Sequence, residues 1–112
     1  MNNLKIAIPV SSKDDNTIMF ERFGRASYFC IFDTEDDSSV VVANPAVGAR
    51  GGAGPRAVEF LSSKQIQSVI VPQLGPNADG ALRAAQITIF QGESLPVKDL
   101  IAKWKNEELN KL

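Results

Sequence analysis

The chain has 112 residues, 44% of them hydrophobic and 22% charged, with a formal net charge of −1, one cysteine and no histidine. A Cys/His zinc site needs several such ligands, a disulfide framework needs paired cysteines, and Ser-His-Asp or Cys-His catalysis needs an imidazole base, so one copy of the chain supports none of them. Near-neutral charge argues against a general nucleic-acid binder, which is normally clearly basic.

The length predicts one domain over residues 1–112, large enough to bury a core without disulfide or metal staples. No apolar run approaches the ~20 residues of a membrane span. Met1–Lys5 is too polar to begin a signal peptide. With a lone cysteine, the expectation is a soluble cytoplasmic protein. There is no internal repeat, low-complexity tract or dividing linker.

Leu4 to Val10 (LKIAIPV) is a short apolar run rich in Ile and Val and reads as a buried strand. Ser11 to Ser27 reads as a long polar loop, a length that in compact domains is often functional. Tyr28 to Asp33 (YFCIFD) is aromatic and β-branched, a second strand. After a turn at Glu35–Ser38, Val40 to Ala43 forms a third, antiparallel to the second because the connection is short. Asn44-Pro45 closes this hairpin.

Val47 to Pro55 (VGARGGAGP) holds four glycines. A helix is expected over Arg56–Ser63, with Pro55 suited to its first turn and Val58 and Leu61 on its apolar stripe. Ser68 to Val71 reads as a fourth strand. Gly75-Pro76-Asn77 reads as a turn, with Asn77 capping a short helix to about Ala85. Ile87 to Phe90 reads as a fifth strand. A last helix is expected over Ser94–Leu109, with Val97, Leu100, Ile101 and Trp104 on its buried side.

The order β-β-β-α-β-α-β-α predicts a mixed five-stranded sheet with one antiparallel strand and helices packed against it. Strands one, three and four then share a direction. Their outgoing loops, 11–27, 44–55 and 72–77, leave one edge, where open α/β sheets bind ligands. Two of these loops feed helix N-termini, which attract anions. Four of the five arginines, Arg22, Arg25, Arg50 and Arg56, lie in or beside the first two loops. Arginine presents a planar fork of donors suited to oxyanions. Gly48, Gly51, Gly52 and Gly54 permit close backbone approach. The functional reading is an anion-binding cleft. The plainer reading also stands: glycine-rich strand-to-helix loops often serve tight geometry alone, and exposed arginines are usually solvated. Neither a Walker A nor a GxGxxG pattern is present.

Other candidates are weaker. Cys30 shares a strand face with Tyr28 and Phe32, where packing is its usual role. Asp14, Asp15, Asp33, Asp36 and Asp37 could be read as a magnesium site. The first strand, however, has no acidic residue, and Asp36 and Asp37 belong to a turn. Trp104 has helical spacing with Leu100 and Ile101, which points to core or interface.

Together the motifs resemble the dinitrogenase iron-molybdenum cofactor biosynthesis domain family. The resemblance is carried by KIAIPV at 5–10, RFGRASYFCIFD at 22–33, ANP at 43–45, GGAGPRAVEFL at 51–61 and SVIVPQLGPNADGALRAAQITIFQG at 68–92. It implies a three-layer ribonuclease H-like α/β fold with helices on both faces. It further implies a carrier or binding module, not an enzyme, that takes an anionic iron-molybdenum cofactor or iron-sulfur precursor, with a protein partner in cofactor assembly. The residues expected to hold it are Arg22, Phe23, Gly24, Arg25, Arg50, Gly51, Gly52, Gly54, Arg56, Gly75 and Asn77. The family commonly has His before Phe-Gly in the first loop, where this chain has Arg22. Arginine is not a normal metal ligand, so anion pairing is expected there in place of coordination. The alternatives are a metal-free regulatory or interaction domain that binds a small anion or a protein, and a nuclease-like enzyme suggested by fold analogy alone.

Overall fold

The computed structural model describes residues 4–14 and 17–112. Asp15, one of the carboxylates weighed for magnesium, lies outside the described residues, as does the polar start before Leu4.

Six strands form one sheet: β1 (Lys5–Val10), β2 (Tyr28–Asp33), β3 (Ser38–Ala43), β4 (Ser68–Val71), β5 (Thr88–Gln91) and β6 (Asn110–Lys111), in the order β3-β2-β1-β4-β5-β6. Three helices accompany them: α1 (Ala53–Ser63), α2 (Pro76–Ala84) and α3 (Val97–Lys105). β2 is antiparallel to β1 and β3, β4 is parallel to β1 and β5, and β6 is antiparallel to β5. The expected five strands with one antiparallel member are thus corrected to six with two. The last helix does not fill 94–109: it starts after Pro96 and stops at Lys105. Glu107 then takes a left-handed φ of 57°, and the chain turns back so that Asn110 and Lys111 pair with Gln91 and Phe90. A two-residue polar strand carries no hydrophobic period by which to read it.

Two other helix starts differ from expectation. α1 begins at Ala53, three residues before Arg56, because Gly52 serves as N-cap at a φ of 65°, a left-handed conformation open to glycine. Pro55 falls in its first turn as expected. Asn77 lies inside α2 and does not cap it; Gly75 is the N-cap and Pro76 the first helical residue, where its missing N–H costs nothing.

Successive side chains of a strand point to opposite faces. Ala7 therefore joins Phe29, Ile31, Val69, Val71 and Ile89 beneath Ala57, Val58 and Leu61 of α1 and Ala78 and Leu82 of α2. Ile6, Ile8 and Val10 join Cys30, Phe32 and Ile70 beneath Val97 and Leu100 of α3. The molecule is a three-layer α/β domain with a buried core on each face of the sheet.

β1 is central yet contains Pro9, which has no N–H for a ladder. Its pairing with β4 runs only through Ile6↔Ser68 and Ala7↔Val69 and stops before the proline. The first loop takes over there. Phe20 donates its N–H to the Pro9 carbonyl at 2.7 Å, and Val10 bridges to Met19. The same loop is tied to the β5–α3 connection, since Met19 donates to the Leu95 carbonyl and Val97 to that of Thr17. Releasing the end of β1 from β4 sends the first loop across the carboxyl edge of the sheet.

Candidate functional site

β1, β3, β4 and β5 run in one direction, so the loops that leave them emerge at one edge. Three of them meet. The first loop ends in a single 3₁₀ turn, Phe23–Arg25. Phe23 is its anchor: it is buried in the α1/α2 core, with its ring tilted against Phe29 at 5.4 Å between centroids. This fixes Gly24 against the start of α1. A Cβ on Gly24 would stand 2.7 Å from the Gly54 nitrogen and 2.9 Å from the Ala53 carbonyl carbon. A Cβ on Gly54 would in turn stand 3.0 Å from Cβ of Ala78 in α2. Gly24, Gly54 and Ala78 thus stack with their backbones nearly in contact, bringing the N-termini of α1 and α2 to the first loop.

Above this stack lies an open cleft of about 310 Å³. Its walls are Glu21, Arg22 and Arg25 from the first loop, Ala53 and Gly54 from α1, and Gln73, Leu74 and Gly75 from the β4–α2 connection. The first-turn amides of a helix have no acceptor within the helix and carry its positive dipole end. In α1 these are Ala53 and Gly54, since Pro55 has none and Arg56 already donates to Gly52. In α2 they are Asn77 and Ala78, since Pro76 has none and Asp79 donates to Gly75.

The two arginines of the first loop have different occupations. Arg25 donates to the Ala49 carbonyl at 2.6 Å, with the Val47 carbonyl also within reach, so its guanidinium braces the glycine-rich loop. Arg22 is exposed and its guanidinium forms no hydrogen bond or ion pair among the described residues, so its five donors are available to a ligand. Of the residues expected to act, the cleft brings together Arg22, Phe23, Gly24, Arg25, Gly54 and Gly75. Arg50, Gly51, Gly52 and Asn77 do not line it. Arg56 points along the outer side of α1 into a separate groove with Pro45 and Phe60.

Asn44 is a residue that sequence reasoning passed over as a hairpin closure. It is 3% exposed, donates its amide to the carbonyls of Gly24 and Ala26 at 3.1 and 2.9 Å, and accepts the Ala46 N–H at 2.9 Å. The bond to Ala46 is a local Asx-turn that an Asn-Pro pair foretells. The bonds to the first loop span some twenty residues and have no local signal.

Among the described residues, no three His, Cys, Asp or Glu side chains come close enough to share a metal ion. Cys30 belongs to the core on the α3 face, away from the α1/α2 face that carries the stack. Burial pushes its thiol pKa up, partly offset by a hydrogen bond with Ser39. What the cleft offers is positive: one uncommitted guanidinium and two helix N-termini, with Glu21 as the opposing charge.

The fold and this edge define a small three-layer α/β domain with a polar cleft outside the carboxyl ends of its strands. The chain belongs to the dinitrogenase iron-molybdenum cofactor family, whose match covers residues 4–107. No curated protein matches it. Among solved structures it is similar to the apo form of the orange protein from Desulfovibrio gigas, with 25% identity, a TM-score of 0.92, and coverage of 99% of this chain and 94% of that one. It is also similar to a NifB-like protein from Thermotoga, with 35% identity, a TM-score of 0.85, and coverage of 97% and 93%. A dinitrogenase-like protein from Methanocaldococcus jannaschii, 18% identical with a TM-score of 0.75 over 100% and 97% of the chains, shares the fold. No helix of the described residues is long and apolar enough to cross a membrane.

Proposed function

We propose that this domain is a cytoplasmic binding or carrier module, not an enzyme, with a ribonuclease H-like fold, and that its cargo is an anionic iron-sulfur or iron-molybdenum cofactor precursor. The observation that carries this reading is Arg22, exposed and uncommitted at the mouth of a cleft floored by the Gly24–Gly54–Ala78 stack. Metal-sulfur clusters of this kind carry net negative charge. A guanidinium and converging backbone amides suit such charge without bonding to the metal. Family membership and the similarity to a NifB-like protein support the choice of cargo. The donor set fits retention by charge and amides. It does not fit the thiolate or imidazole coordination usual for such clusters, since its walls hold neither group. A ligand on the metal would then come from the cluster itself or from a partner protein in cofactor assembly.

The test is anaerobic titration with a preformed iron-sulfur cluster, followed by gel filtration. Visible absorption should co-elute with the protein. Arg22→Ala should weaken binding about tenfold, the size expected for one charge-assisted contact. A protein that stays colourless across the titration would overturn the carrier reading and favour a metal-free interaction domain.

A further inference from the structure

The two faces of the sheet are covered unequally. α1 and α2 share one face, and α3 packs on the other. Six strands span roughly 24 Å, whereas a nine-residue helix is about 14 Å long and 10 Å wide. A helix of that size leaves part of its face bare. β2 and β3 lie at one side of the sheet, and there a cavity of about 250 Å³ opens beside α3. The sheet contributes Cys30, Phe32 and Val41 to its walls, and α3 contributes Val97 and Ile101.

The remaining walls are polar. Thr17 of the first loop lines the cavity and is only 9% exposed. Its N–H donates to the Asp14 carbonyl and its carbonyl accepts from Val97, but its hydroxyl has no partner among the described residues. No fully enclosed side-chain oxygen or nitrogen among those residues lacks a partner, so this hydroxyl keeps contact with open space, which Thr17 meets at the cavity. Two lysines line the same space. Lys98 is exposed, lies in the first turn of α3 and forms no ion pair among the described residues. Lys13 sits 5.4 Å over the Tyr28 ring, a contact that leaves its ammonium donors unused. Val97 donates to Thr17, and Asp99 and Leu100 donate to Pro96, so the Lys98 N–H is the free amide at the positive end of α3. Asp14 is the opposing charge on these walls; Asp99, in the same helical turn as Lys98, does not line them. Two ammonium groups against one carboxylate leave an excess of one positive charge.

We propose that this cavity is a binding site separate from the cleft, for a small organic monocarboxylate whose apolar body enters beside α3 and whose carboxylate is held by Lys13, Lys98 and the Thr17 hydroxyl. One negative charge matches the excess on the walls. An inorganic anion has no apolar body to cover Phe32, Val41 and Ile101, and a neutral apolar molecule would leave both ammonium groups and the hydroxyl without a partner. The site lies across the sheet from the Gly24–Gly54–Ala78 stack, so it does not depend on what the cleft holds.

Titration of isotope-labelled protein with sodium hexanoate at neutral pH, followed by amide NMR, tests this. The signals of Thr17, Val41, Val97, Lys98 and Ile101 should shift together and saturate, with a dissociation constant of about 1 mM or below. Hexanol, which keeps the apolar body without the charge, should bind about tenfold more weakly, and hexylamine more weakly still. Thr17→Val should weaken hexanoate about fivefold and Lys98→Glu about tenfold. Lys98 is exposed, so its variant keeps the test decisive should Thr17→Val fail to fold by circular dichroism. Hexanoate shifts that never saturate or that map to Arg22 and Gly75 of the cleft, an alcohol that binds as tightly as the acid, or hexanoate binding that Lys98→Glu leaves intact would each overturn the proposal.

Discussion

Asn44 shows how one side chain can hold two loops together. Its carboxamide satisfies two carbonyls of the first loop and one N–H of its own, all within a buried pocket of backbone. Asn44→Ala would leave those three groups without partners where water reaches them poorly. Each such loss costs on the order of 1–3 kcal/mol, partly relieved by relaxation, so a total near 3 kcal/mol is expected in urea denaturation. Cluster absorption should fall with it, because Gly24 loses its tether beside the cleft. The arginines show the opposite limit of reading single residues. The arginines near the first two loops look alike in sequence, yet the structure gives three of them different surroundings. Arg22 faces the cleft unpaired, Arg25 braces Val47–Ala49, and Arg56 lies in a groove on the outer side of α1. Residue type set the chemistry each could do, but only the fold chose its neighbours.

At the scale of elements, the contact between the 3₁₀ turn and α1 decides whether a cleft exists. Gly24→Ala would place a methyl group 2.7 Å from one backbone atom and 2.9 Å from another, neither of which can rotate aside. The turn must lift from α1, at an expected cost of about 1–3 kcal/mol. Amide chemical shifts at Gly54 and Ala78 should move, and cluster binding should weaken. Gly48→Ala is the matched control, since an added Cβ there meets nothing within 4 Å. β1, β2, β4 and β5 were legible because each is a compact apolar run, and the α1 and α2 stripes showed at helical spacing. β6 was not legible: its two polar residues become a strand only because β5 offers an open edge where α3 ends. The start of α1 was read late because a left-handed glycine cap looks, in sequence, like more of the same glycine-rich loop.

The whole molecule has two cores separated by its sheet, and its stability should divide accordingly. Leu61 of α1 and Leu100 of α3 are both fully buried, on opposite faces. Leu61→Ala and Leu100→Ala should each cost about 2–5 kcal/mol. The double variant should equal the sum within about 0.5 kcal/mol, because the two sites share no packing partner. A marked departure from additivity in chemical denaturation would mean that the cores are coupled through the sheet. Local residue patterns limited the side-chain chemistry on offer and marked most of the elements. Without histidine, and with one cysteine in an apolar strand, the carboxyl-edge loops could offer cations and amides but no imidazole. Hydrophobic period, aromatic and β-branched runs, and glycine and proline positions are local signals, so they marked strands and helices directly. Which loops meet is a property of the assembled sheet. That depends on strand order and direction, on β1 parting from β4 at Pro9, and on a Gly24–Gly54–Ala78 contact between segments tens of residues apart. Such contacts form through pairing and packing across the whole sheet, and no local pattern records them.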